Sequence, residues 1–276
     1  MDTTTAGAAR VRHTRLFDIL RSERIKLTSI RSTRWTAALT VLLSAAFVAL
    51  MAIGLAAAEN DEAAGLEEMI LRTFGPTPTF GAIGYALVLA PALIGLFGAL
   101  VVSTERSNGL LSVTVGAVPA RRLILAAKLL MSTVVSFLIG VVIVAVSYAI
   151  AEPAFVSNGF PVTVLDPATL QVLTGGAIYL ALVGTISTGI AFLFRTTAGA
   201  VGAVLVLLLV VPGFIQLVPV VGPVIAAGMP TALGARLFMP STDGNWMTPV
   251  IGLAGLIGWA AAAAIAARIT FSRSDV

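Results

Sequence analysis

LLMSTVVSFLIGVVIVAVSYAIA, residues 129–151, decides the fold: 23 consecutive residues contain no Asp, Glu, Lys or Arg. A helix rises about 1.5 Å per residue, so roughly 20 apolar residues cross the hydrocarbon core of a bilayer. Five more charge-free stretches flank this one, at 35–58, 73–104, 167–194, 196–235 and 244–267. Each is long enough to span. The chain is 58% hydrophobic and only 11% charged, too few charges to cover the surface of a soluble protein of 276 residues. The expected fold is therefore an all-α polytopic membrane protein of six spans, at about 35–58, 80–103, 129–151, 171–194, 198–218 and 249–267.

The longest stretch, 196–235, has room for two short helices. Pro212-Gly213 and then Pro219, Pro223 and Pro230 break it after about one span. The remainder reads as a re-entrant or interfacial segment before the last span, since irregular backbone at membrane depth must be covered by protein or line a cavity. Ala56-Ala57-Ala58 resembles a signal-peptidase site, but signal cores run 7–15 residues and this one has 24, so a retained first span is expected.

Lys and Arg orient the bundle. With six spans, one side receives the N-terminal segment, the loops at 104–128 and near Arg195, and the C-terminal segment, which together hold 15 of the 17 basic residues. Only Arg72 and Arg236 fall on the other side, where the acidic residues Glu59, Asp61, Glu62, Glu67, Glu68, Glu152, Asp166 and Asp243 gather. The positive-inside rule makes the crowded side cytoplasmic, with both termini in. A seventh span would put Arg268 and Arg273 outside and bring Arg236 in, a slightly worse fit.

Residues 1–34 form a small polar tail followed by a basic amphipathic helix, with Leu16, Leu20, Leu27 and Ile30 near one face. Its simplest role is a topology anchor on membrane lipid; a contact with a cytoplasmic partner is the alternative. Residues 35–276 then make a single six-helix transmembrane domain. Small residues recur at packing intervals, most strictly Ala177, Ala181, Thr185 and Gly189 in the fourth span. Such stripes serve close helix packing within the chain or across a dimer.

Several chemistries are excluded. There is no cysteine, and the one histidine is His13 in the tail, so thiol chemistry, His-based triads and His-ligated metals drop out. The six stretches carry no charge, whereas ion-driven transporters keep intramembrane ionisable groups. The only lysines, Lys26 and Lys128, belong to no GxxxxGK[ST] loop, so the chain has no ATP site, no nucleic-acid signature and no cofactor of its own. If transport is powered, its energy comes from another polypeptide.

The loop TERSNGLLSVTVGAVPARRLILAAK, 104–128, holds the residues most suggestive of function. It leaves the second span at Glu105, breaks at Asn108-Gly109, runs through a short apolar helix from Leu110-Leu111, turns at Pro119, and passes Arg121-Arg122 into a helix that continues beyond Lys128. A short apolar helix pinned under a membrane suits docking in a groove of a soluble partner. An ordinary positive loop with a proline turn explains the same residues.

The pattern Glu105, Gly109, Leu110, Pro119, Arg121-Arg122, Lys128 resembles the corresponding loop of ABC-2-type transporter permeases. The run Arg21-Ser22-Glu23-Arg24-Ile25-Lys26-Leu27, followed by Arg31-Ser32-Thr33-Arg34-Trp35-Thr36, is similar to the opening of many bacterial members. Arg106 departs from the pattern, standing where many members have an aromatic. The resemblance implies a non-enzymatic permease subunit in a bacterial cell membrane. It would dimerise with a copy or paralogue and bind two separate ATPase subunits that carry ATP and Mg. The amphipathic segment would be a connecting helix and 104–128 would hold the coupling helix. Glu105 would cap or orient that helix, Leu110 and Leu111 would enter the partner's groove, and Arg121 and Arg122 would anchor the turn to anionic lipid or acidic partner residues. Pro212, Pro219 and Pro223 would belong to an external gate. A charge-free interior favours apolar or amphipathic cargo. The competing readings are a non-transporting scaffold or immunity protein and a lipid-modifying membrane enzyme.

Overall fold

A computed structural model describes residues 16–29, 31–57, 78–117, 120–157, 167–239 and 247–273. The expected acidic cluster at 59–68, with Asp166 and Asp243, Ile30 and Pro119, lies outside the described residues, as do the side chains of Leu16 and Leu27. Every regular element among the described residues is helical.

Helix α1, Leu16–Ser29, precedes α2, Arg31–Ala57; α3 spans Pro78–Ser107, α4 Leu110–Ala117, α5 Arg121–Ser157 and α6 Pro167–Ala191. Then come α7 (Thr197–Leu205), a π-turn at Val206–Val210, α8 (Val211–Ile215), α9 (Val221–Ala227), α10 (Pro230–Phe238) and α11 (Met247–Arg273). Six segments are long and apolar enough to cross a membrane: Arg34–Gly54, Ala86–Ser107, Arg121–Pro153, Pro167–Ala191, Thr197–Ile215 and Thr248–Arg273. The protein is an all-α, multi-pass membrane protein. Each of the six segments overlaps one of the expected stretches, and the bent pair α9–α10 would make a seventh if it crossed as one broken span. The third is longer than expected because its helix starts at Arg121 and carries Lys128 inside the protein.

The fourth span, α6, is the hub. It packs against α3, α5, α10 and α11. The small-residue stripe along it serves those contacts: Gly140 approaches Ala177, Thr133 Oγ1 lies 2.6 Å from Thr185 Oγ1, and Gly189 abuts Ala263. Near its middle three helices nearly touch. A Cβ on Gly98 would lie 2.8 Å from the Gly184 carbonyl, and one on Gly184 would lie 2.7 Å from the Ser136 Cβ. Hydroxyls bridge the same junction: Ser132 Oγ donates to the Gly184 carbonyl at 3.2 Å, and Thr188 Oγ1 sits 2.7 Å from Ser132 Oγ and 3.2 Å from the Gly98 carbonyl. Without a hydrophobic drive between helices in lipid, such close packing and interhelical hydrogen bonding provide the cohesion.

The fifth span is interrupted as its prolines require. Pro212 has no N–H to give and its ring crowds the preceding turn, so the ladder widens by one residue and the Val211 N–H reaches the Val206 carbonyl. The chain then breaks at 216–220, where Val220 is forced to φ +66°. Two short helices follow, α9 and α10, bent by 59° to each other. Pro230 opens α10 at its first turn, and Trp259 Nε1 donates to the Gly228 carbonyl at 2.8 Å, tying the bend to the last span.

Candidate functional site

The basic loop is organised by how α3 ends. The N–H groups of Asn108 and Gly109 bond back to the Thr104 and Arg106 carbonyls, and Gly109 takes φ +69°, a left-handed conformation open to glycine at little cost. This turn fixes the rotational setting of α4. Leu111, expected on the docking face, is instead 1% exposed and belongs to the interior, with Val115 one turn later packed on the same core. Leu110 (48% exposed) and Val113 (69%) project outward on the opposite face. Of the pair expected to enter a partner's groove, only Leu110 is presented. Val113 completes the outward pair, one helical turn along.

Behind α4 lies a buried ionic cluster. The Lys128 side chain is fully buried, its Nζ 2.7 Å from Glu105 Oε2 and 2.9 Å from Glu23 Oε2. Lys26 Nζ closes the ring, 3.0 Å from Glu23 Oε1 and 3.5 Å from Glu105 Oε1. Both lysines of the chain are thus spent on one four-membered, charge-neutral network joining α1, α3 and α5. Burial opposes ionisation of Glu23, but Lys128 and Lys26 outweigh it and hold its carboxyl below the ordinary carboxylate range. Burial likewise opposes the charge on Lys26, yet Glu23 and then Glu105 keep its ammonium above the ordinary lysine value. Glu105 therefore clamps α1, α3 and α5 together rather than merely capping α4.

The cluster also settles which face of α1 turns inward. Ile19 and Glu23, one turn apart, are buried, and Leu20 is half-buried while Ile25 is exposed. Glu23 turns inward because its charge needs the lysines, and among the described side chains Ile19 and, in part, Leu20 turn inward with it.

The arginines act mainly as clamps. Arg106 donates from Nη1 to the carbonyls of Phe192 and Phe194, just beyond the C-terminus of α6. Its departure from the resembled pattern thus has a structural use, as a cation on the negative end of a helix. Arg121 donates to the Phe271 and Ser272 carbonyls at 3.0 and 3.3 Å, with its guanidinium 5.9 Å from the Phe271 ring centre. It binds the end of α11 within the chain; Arg122 beside it is exposed.

Neither protein-family models nor curated proteins match this chain.

One end of the bundle gathers α1, the α3–α5 connection, the segment after α6 and the end of α11, all cross-braced by charge. Pro212, Pro219 and Pro223 lie apart from it, on α8, in the turn 216–220 and on α9. No group of three or more metal-ligating side chains occurs among the described residues. Sequence reasoning missed the pairing of Glu23 and Lys26 with Glu105 and Lys128. The one local signal was Glu23 beside Lys26 at helical spacing; nothing near Lys128 in the chain pointed to its partners.

Proposed function

We propose that this chain is the membrane-spanning permease subunit of an ATP-driven exporter, without an ATPase site of its own. Two copies of a separate nucleotide-binding subunit hold ATP and Mg, and a second permease, identical or paralogous, completes the membrane part. The basic end faces the cytoplasm of a bacterial cell, with both termini there. Helix α4 is the coupling helix, α1 the connecting helix, and the bent pair α9–α10 the re-entrant external gate.

The observation that supports this most is the division of α4. Leu111 and Val115 root the helix in the bundle, while Leu110 and Val113 remain outside it as an apolar pair. A helix that is half anchor and half apolar projection suits transmission of force from a docked partner. The ionic cluster supports the same reading, since it makes α1, α3 and α5 respond together to a push on α4. On ATP binding the partner subunits close, the coupling helices tilt, and the spans shift between two packings that open the path on alternate sides.

The test is purification of the tagged full chain from its native host in mild detergent, with co-purifying proteins identified by mass spectrometry. A stoichiometric ATPase carrying a phosphate-binding loop is the expected result. A chain that emerges without any nucleotide-binding partner, also after crosslinking in intact cells, would overturn the proposal.

A further inference from the structure

A cavity of about 360 Å³ opens between the first turns of α5 and the last turns of α11. Three arginines line it, Arg121, Arg122 and Arg268, and among the described residues no carboxylate does. They are not equivalent. Arg121 covers the terminal carbonyls of α11, which would otherwise turn a negative helix end toward the cavity. Arg122 and Arg268 are exposed and face it from two different helices. Below them the wall is apolar. Leu125 forms a buried floor, and Ile269 and Ile265, one turn apart on α11, are 47% and 60% exposed.

We propose that this cavity is a binding site for an anionic phospholipid, its headgroup phosphate held between Arg122 and Arg268 and an acyl chain lying along Ile269 and Ile265. Two charges on separate helices converge on one anion, and paired guanidinium forks suit phosphate oxygens. Basic pockets between helices at a membrane boundary are a recurrent solution for acidic headgroups. A free phosphate would use the arginines but gain nothing from the isoleucines, which run from the basic rim toward the middle of the span. The ligand is therefore a lipid rather than a soluble anion. Because Arg121 staples the same two helices, an occupied site would brace the end of α5, and through it Lys128. The inference does not rest on the transporter reading.

Native mass spectrometry of the full chain, released from detergent supplemented with phosphatidylglycerol, phosphatidylcholine or inorganic phosphate, tests it. Phosphatidylglycerol should be retained about tenfold better than phosphatidylcholine, the scale expected from one to two arginines at a membrane surface. The double variant Arg122→Gln/Arg268→Gln should lose that preference, Arg122→Lys/Arg268→Lys should keep most of it, and Arg34→Gln, away from the cavity, should match the unaltered chain. Equal retention of the two lipids by the unaltered chain would overturn the proposal, whether or not the variants fold. So would undiminished preference in the Gln variant. Displacement of phosphatidylglycerol by millimolar phosphate would show a soluble-anion site instead.

Discussion

Lys128 is the residue on which the most structure depends. Its ammonium lies in the protein interior against two carboxylates, where burial would be prohibitive without them. Removing one member of a buried pair strands the other charges, at about 3–5 kcal/mol. Lys128→Met should lower stability by that order and shift the thermal midpoint accordingly. Glu105→Gln should cost much less in the Lys128→Met background than alone, since the carboxylate has then already lost its closest partner and keeps only Lys26. Additive losses in a double-mutant cycle would show that the two groups do not act together. None of this pairing was legible from spacing. Glu23, Glu105 and Lys128 are far apart in the chain; positive-inside bias alone explains the lysine, and a single carboxylate at a membrane boundary names no partner.

At the scale of elements, α1 is held by charge and the central spans by close approach. Because the Glu23 carboxyl is depressed, its share of α1 docking is complete above the ordinary carboxylate range and is lost as pH falls through the lower folded value. Lys26 is raised, so its share holds below the ordinary lysine value and is lost only as pH climbs beyond that. Lys128 and Glu105 face the same groups. Protection of the amides of residues 16–29, relative to the intrinsic exchange rate at each pH, should therefore stay high through neutral pH and fall in acid. Glu23→Gln should exchange fast already at pH 7; slow exchange there would contradict the role given to this carboxylate. The α3–α6 contact is steric instead. Gly98→Ala places a methyl against the Gly184 carbonyl, backbone that cannot yield cheaply, and should cost about 1–3 kcal/mol of thermal or denaturant stability. The Gly and Ala stripe of α6 was visible in sequence because helix packing in lipid demands small residues at fixed intervals. The outward face of α4 was not. Its rotation depends on the left-handed turn at Gly109, and one residue of rotation exchanges Leu110 for Leu111.

For the whole molecule, the spans were legible because a bilayer imposes a length and a polarity that few sequences meet by accident. The Pro-broken fifth stretch was legible for the same reason: proline removes a donor that lipid cannot replace. Orientation follows from basic residues and is testable separately from function. A cysteine at position 61 should react with an impermeant maleimide on intact cells, and one at position 112 only after permeabilisation. The reverse pattern would invert the topology and remove the cytoplasmic setting that coupling requires. The central claim is that the outward pair of α4 meets a nucleotide-binding subunit, and site-specific photocrosslinking at position 113 in living cells tests it most directly. The account predicts one dominant adduct with an ATPase of the phosphate-loop type, abolished by Leu110→Asp while the chain stays in the membrane at normal abundance. Adducts only with lipid, with a second copy of the chain, or with proteins that bind no nucleotide would contradict it.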